Sequence, residues 1–181
     1  AMAAAEILAE DIADLIIIGT DEEDKANSEG LDISKATIIN PHTYEKTEAY
    51  IDAFVELRKA KGMTKEEATK TLLGDYMYYA CMMVKMGDGD GIVSGACHST
   101  ANTLRPSLQI IKTAPGTKLV SAFFVMVVPD CEFGEDGVFV FGDCGLVQNP
   151  NSEELAAIAG STAASFKQLV GKEPVVALLS H

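Results

Sequence analysis

The sequence predicts an α/β fold, on three observations. Short apolar runs such as Leu15–Ile18 and Ala36–Ile39 are strand-sized, and they alternate with longer stretches whose apolar residues recur at helical spacing. Gly, Pro or Asn residues close many of these runs. At 181 residues, 48% hydrophobic and 23% charged, the chain can bury a core of its own. Apolar strands interleaved with amphipathic helices imply a mainly parallel sheet covered by helices.

Residues 1–13 read as a helix, with Ala4, Leu8 and Ile12 spaced along one face. Leu15–Ile18 is a strand ended by Gly19, and Thr20–Glu29 is an acidic helix or loop stopped by Gly30. Ala36–Ile39 is a strand closed by Asn40-Pro41. From Tyr44 to Lys61 the spacing of Tyr50, Phe54, Leu57 and Lys61 predicts an amphipathic helix, ended by Gly62. Thr64 with Glu67 three residues on is a capping box that starts another helix. Tyr76–Met86 continues helical, and its stripe of Tyr79, Met82, Met83 and Met86 reads as core.

After the turn Gly87-Asp88-Gly89-Asp90-Gly91, Gly91–Val93 is expected as a strand and Ser99–Lys112 as a helix carrying Leu104, Leu108 and Ile111. Pro115-Gly116 marks the boundary between an N-terminal α/β domain, 1–114, and the start of a second, 115–181. Ser121–Val128 and Val138–Phe141, joined by an acidic loop, read as a hairpin. Asn151 or Ser152 caps a helix to Val170 with Leu155, Ile158, Thr162, Phe166 and Leu169 inward, and Pro174–Leu179 is expected as a final strand.

Several function classes are excluded. A net charge of −13 argues against nucleic acid or an anionic membrane surface as partner. No apolar run approaches the roughly 18 residues of a membrane span, and no basic segment precedes an apolar one at the N-terminus. Cys81, Cys97, Cys131 and Cys144 form no CxxC pair, and only three histidines are present, so no metal site is assigned. The cysteines are expected to be reduced and mostly buried. Asp88 and Asp90 do not complete a calcium loop, because Ile92 stands at the third ligand position and no glutamate closes it.

The most informative segment is Asp90–Lys112, DGIVSGACHSTANTLRPSLQIIK. Ser94, Gly95 and Ala96 let backbone N–H groups approach a ligand, and Ser99 and Thr100 place hydroxyls at a helix start. The helix end adds partial positive charge, so the segment can cradle a phosphate, although Ser99 and Thr100 could equally serve only as caps. Arg58 and Arg105 are the only arginines among 14 basic residues, and a guanidinium offers phosphate a planar, two-pronged contact. His98 stands beside the cradle, with no carboxylate neighbour evident in the sequence. Cys131 is flanked by carboxylates that would blunt it as a nucleophile. Asp143 and Cys144 follow a strand end without a chemical signal of their own.

Two long stretches, VSGACHSTANTLRPSLQIIKTAPG and SAFFVMVVPDCEFGEDGVFVFGDCGL, closely resemble the phosphotransacetylases of the phosphate acetyl/butyryl transferase family. The likeness extends through GLDISKATIINPHTYEKTEAYIDAFVELRKAKG to PVVALLSH. It implies reversible acyl transfer between acetyl phosphate and coenzyme A in the cytoplasm. Coenzyme A is a substrate there, and no cofactor is required. It also implies a three-layer αβα fold like the isocitrate/isopropylmalate dehydrogenases, with two domains, the site in the cleft and a homodimeric assembly.

Residue by residue, the resemblance assigns Arg58 (in ELRK) and Arg105 (in TLRP) to coenzyme A, and His98, Ser99 and Thr100 to acetyl phosphate. It places Cys131 (in PDCE) near the site without a catalytic role. The family's aspartate base, and its serine with an adjacent arginine, match nothing before His181, so no catalytic residue is assigned in this chain. A first strand before Ala1 and a continuation past Leu178-Leu179-Ser180 are likewise expected in relatives, so the chain reads as a partial one. Two other activities fit the same resemblance. One is a non-catalytic acetyl-CoA-binding regulatory domain, as at the end of large malic enzymes; the other is a phosphate butyryltransferase.

Overall fold

A computed structural model describes residues 2–20, 30–117 and 119–179. The chain divides into two compact units, Ala1–Lys112 and Thr113–His181.

In the first unit, α1 (Met2–Ala9) buries only Leu8 and stops short of the expected residue 13, leaving Ile12 exposed. Strands β1 (Ile16–Ile18) and β2 (Thr37–Ile39) pair in parallel, Ile16 opposite Thr37 and Ile18 opposite Ile39. The expected helix or loop at Thr20–Glu29 lies outside the described residues apart from Thr20. Past β2, Asn40 Oδ1 accepts the His42 amide hydrogen at 2.9 Å, and Thr47 Oγ1 donates to the Pro41 carbonyl at 2.8 Å. These bonds turn the chain into α2 (Thr47–Arg58), extended by a 3₁₀ turn, Lys59–Lys61, and closed by Gly62 in the left-handed region.

Helix α3 (Lys65–Gly74) opens with the capping box foreseen in the sequence: the Glu67 amide donates to Thr64 Oγ1 at 3.2 Å, and the Thr64 amide to Glu67 Oε2 at 3.0 Å. Asp75 alone separates α3 from α4 (Tyr76–Met86), ending one and capping the other. The aromatic and methionine stripe is core, since Tyr50, Phe54, Leu72, Tyr79, Met82 and Ile110 are all wholly buried. Tyr50 and Tyr79 meet edge-on with centroids 5.4 Å apart, a favoured aromatic geometry. The other end of the stripe, Met86, is exposed.

Helix α5 (Thr100–Pro106) continues as a π turn, Ser107–Ile111, in which the Lys112 amide reaches the Ser107 carbonyl at 3.0 Å. Proline cannot donate to the regular ladder, and the wider turn follows it directly. The wider turn changes the phase of the helix. Ile110 enters the core, whereas Leu108 and Ile111, expected inside, are exposed. Gly91–Val93 joins no sheet among the described residues, and Val93 is fully exposed; a strand forms only where a neighbour accepts its hydrogen bonds.

In the second unit, β3 (Phe123–Val127) and β4 (Val138–Gly142) form the expected hairpin, antiparallel, with Phe124 opposite Phe141. Gly137 (φ +85°) allows the return: a Cβ there would lie 2.1 Å from the Val128 carbonyl oxygen. Helix α6 (Ser152–Val170) is capped by Asn151, whose Oδ1 accepts the Glu153 and Glu154 amides at 3.0 Å. It packs on β4 where Gly142 leaves room for Thr162.

Other expectations are met only in part or not at all. Of the expected inward face of α6, Ile158 is buried and Thr162 and Phe166 are half-buried, whereas Leu155 and Leu169 are exposed. Residues 173–179 form no strand, and Val175 and Leu179 are almost completely exposed. Among the described residues the sheets are one parallel and one antiparallel pair, so the mainly parallel sheet is not present. Runs as short as these form strands only where a partner lies alongside.

Candidate functional site

Helix α4 packs against α2 on one side and against α5 with its π turn on the other. Arg58 is the last residue of α2, and its Nε is shielded from solvent without a hydrogen-bond partner. Arg105 lies in the last turn of α5 and is exposed. Between these helices stands Tyr78 of α4, half-buried, its ring edge-on to Phe54 at 6.0 Å. Its hydroxyl donates to Gln109 Oε1 at 3.4 Å.

Burial pushes the Tyr78 phenol above its ordinary pKa, while the charges of Arg105 and Arg58 both pull it down. The phenol therefore stays neutral near neutral pH, within electrostatic reach of both of the chain's guanidinium groups. Tyr78 was not singled out in the sequence. Its neighbour Tyr79 carries the core pattern, and nothing in the local sequence marks Tyr78 apart from it.

A cleft of about 340 Å³ is lined by β1 and residues 91–94, with Tyr76 and His98 on its wall. His98 Nε2 stands 3.5 Å from Asp75 Oδ1, an attraction that acts when the imidazole is protonated. This supplies the carboxylate neighbour that the sequence did not disclose. Asp75 Oδ1 also accepts the Met77 amide at 2.9 Å, so the capping geometry fixes the carboxylate. The available signal was the break Gly74-Asp75 between two helical patterns, which marks a cap without naming its second partner.

Ser99 caps α5, its Oγ accepting the Asn102 amide at 3.2 Å. The cap uses an oxygen lone pair and leaves the Ser99 O–H free to donate. Thr100 is the first residue of α5, and both hydroxyl residues are exposed. A second cleft of about 380 Å³ shares Gly91, Ile92 and Ser94 with the first and adds Thr103 and Ser107.

Cys131 belongs to the second unit, in the hairpin loop, with Sγ donating to the Phe133 carbonyl at 3.9 Å. There too, Asp143 Oδ1 accepts the Val147 amide at 2.9 Å, and Cys144 Sγ donates to the Phe141 carbonyl at 3.0 Å. All four cysteines are free, but only Cys81 is buried. Cys131 and Cys144 are half-buried and Cys97 is exposed, against the expectation of burial. Short loops around Cys97 and Cys131 carry too few neighbours to cover them. Asp88 ion-pairs with Lys46 and accepts a hydrogen bond from Tyr50, so it is a structural carboxylate. Among the described residues no group of three or more His, Cys, Asp or Glu is placed to hold a metal ion, and no helix is long and apolar enough to cross a membrane.

These features define an α/β protein that, despite its net negative charge, carries its two arginines on helices that both pack against α4, and sets a histidine–carboxylate pair at the wall of a cleft. The chain belongs to the family described as phosphate acetyl/butaryl transferase, whose model matches residues 1–181. It is 56% identical over 178 residues to a phosphate acetyltransferase of Thermoanaerobacterium thermosaccharolyticum, covering 98% of this chain and 54% of the relative. A phosphate acetyltransferase of Acetivibrio thermocellus is 52% identical over 179 residues, covering 99% and 54%.

Among solved structures, the EutD phosphotransacetylase from Staphylococcus aureus superposes with a TM-score of 0.82 at 37% identity, over 96% of this chain and 50% of that one. A phosphotransacetylase from Streptococcus pyogenes gives 0.80 at 39% identity, over 96% and 51%. The chain thus spans about half the length of the relatives it matches.

Proposed function

We propose that this chain is part of a phosphate acetyltransferase, which moves an acetyl group reversibly between acetyl phosphate and coenzyme A. The observation that carries this reading is the 56% identity, over 98% of the chain, to a relative of that name. In the forward step the thiol of coenzyme A loses its proton to a base and its sulfur attacks the acetyl carbon. The bond from that carbon to the phosphate oxygen breaks, and phosphate leaves with the electron pair. No covalent enzyme intermediate is needed, so the protein's tasks are alignment and stabilisation of the developing phosphate charge.

Arg58 and Arg105 hold phosphate groups of coenzyme A, a role that a planar guanidinium fits better than lysine would. His98, Ser99 and Thr100 receive acetyl phosphate, the free Ser99 O–H and a ring N–H of His98 serving as donors. Cys131 takes no part in the chemistry. The base and the serine–arginine pair are contributed by residues outside these 181. The complete protein has the three-layer αβα architecture of the isocitrate/isopropylmalate dehydrogenases, works as a homodimer in the cytoplasm, and needs no cofactor.

The test is coenzyme A-dependent consumption of acetyl phosphate, by the 181-residue chain and by a chain of the relatives' full length carrying these residues. Activity of the longer chain alone is expected. Acetyl-CoA binding without turnover in both would replace the enzyme by a regulatory domain, and a preference for butyryl phosphate would replace the acetyl substrate.

A further inference from the structure

Gly91, Ile92 and Ser94 line both clefts, and Gly89 and Val93 line the larger one, which His98 also lines. Among the described residues, none hydrogen-bonds to residues 89–94. Ile92 packs on the core, an apolar contact without directional preference. The direction of this wall is therefore set by its two ends. One is α5, opened by the Ser99 cap, and the other is Asp88. We propose that Asp88 is a positioning residue for acetyl phosphate, holding residues 89–94 in place as the cleft wall through its bonds to Lys46 and Tyr50. The proposal rests on the acetyltransferase reading given above.

Three bonds converge on Asp88. Its amide donates to the Met83 carbonyl of α4 at 2.9 Å, just past Gly87, which closes α4 in the left-handed region. Its Oδ2 accepts the Tyr50 hydroxyl hydrogen at 2.6 Å, and its Oδ1 pairs with Lys46, the residue before α2. Tyr50 is wholly buried and edge-on to Tyr79, so the phenol that holds the carboxylate has no room to move aside. Both carboxylate oxygens are thus used in fixing the chain one residue ahead of the wall. Arg58 lies farther along α2, about 12 Å from Tyr50 at the helical rise, so release of Asp88 leaves the arginine proposed for coenzyme A in place.

The test is steady-state kinetics on a chain of the relatives' full length carrying these residues, as wild type, Asp88→Asn and Lys46→Met. A released wall holds its binding arrangement only part of the time, and apparent affinity falls by that fraction. Asp88→Asn is expected to raise the KM for acetyl phosphate about ten-fold, as when the fraction falls to about a tenth. Saturating acetyl phosphate draws the wall back, so kcat and the KM for coenzyme A are expected to stay within about two-fold of wild type. A merely structural carboxylate gives the opposite split, a lower kcat from fewer folded molecules at unchanged KM, and that result overturns the proposal. An equal rise in both KM values overturns it too.

Should Asp88→Asn fail to fold, Lys46→Met removes only the ion pair, at a half-exposed side chain, and is expected to raise the KM for acetyl phosphate about three-fold. An unchanged KM there also overturns the proposal. The underlying reading fails separately, when the wild-type full-length chain transfers no acetyl group at all.

Discussion

Tyr50, wholly buried on α2, donates its phenolic hydrogen to Asp88 Oδ2 at 2.6 Å, and so ties the loop after α4 to the middle of the core. Lys46 pairs with the other carboxylate oxygen. The Lys46 and Tyr50 hydrogen bonds together hold the Asp88 carboxyl below the usual carboxylate range.

A carboxyl with a lowered folded pKa contributes stability above its unfolded value, near 4, and loses it as pH falls through the folded value. Asp88→Asn should therefore destabilise the chain by about 2 kcal/mol at pH 7. The difference from wild type should shrink below about pH 4. Urea unfolding at pH 7 and pH 3 checks this, and a pH-independent difference would contradict it.

Ser99→Ala removes the cap from the Asn102 amide and should cost about 0.5–2 kcal/mol of stability. Ser99→Asp restores an acceptor for that amide but places a negative charge where acetyl phosphate is proposed to bind. It should recover stability and lose acetyl phosphate affinity. Denaturation and ligand titration on the two variants separate the capping role from the binding role.

Arg105→Ala should weaken coenzyme A by about 1–3 kcal/mol, the range for a lost charged hydrogen bond. The guanidinium is exposed, so folding stability should hold. Arg105→Lys should recover only part of the affinity, because an ammonium cannot reproduce the planar contact. Calorimetry on both variants gives the measurement, and full recovery by lysine would remove the case for a two-pronged contact.

Burial pushes the Cys81 thiol up, whereas Cys97 is exposed. An alkylating reagent in native buffer should label Cys97 first and leave Cys81 untouched until the chain unfolds. Mass spectrometry of a time course reads the order directly.

The elements that could be read from sequence are those whose signals are local. The capping box at Thr64 and Glu67, the cap at Asn151 and the stripe through Tyr79 and Met82 each depend on residues within a turn or two, and each is present. Strands at Gly91–Val93 and Pro174–Leu179 could not be settled that way, since a strand exists only through its partner. The π turn after Pro106 moved the buried residue by one position, from Ile111 to Ile110, which periodicity alone does not anticipate.

The site divides along the same line. Ser99 and Arg105 lie within one continuous segment and could be read together. The pairing of Asp75 with His98, and the contact of Tyr78 with Phe54 and Gln109, arise from packing between distant parts of the chain.

Asp75 is a one-residue corner, extended at φ −144° and ψ 106°, that closes α3 and opens α4. A corner of that size has no slack. The carboxylate facing His98 is located by the axes of two helices whose inner residues, Leu72 and Met77, are locked in the core. A substitution deep among those residues would thus be felt at the cleft wall as a change of aim, without any residue of the cleft being altered.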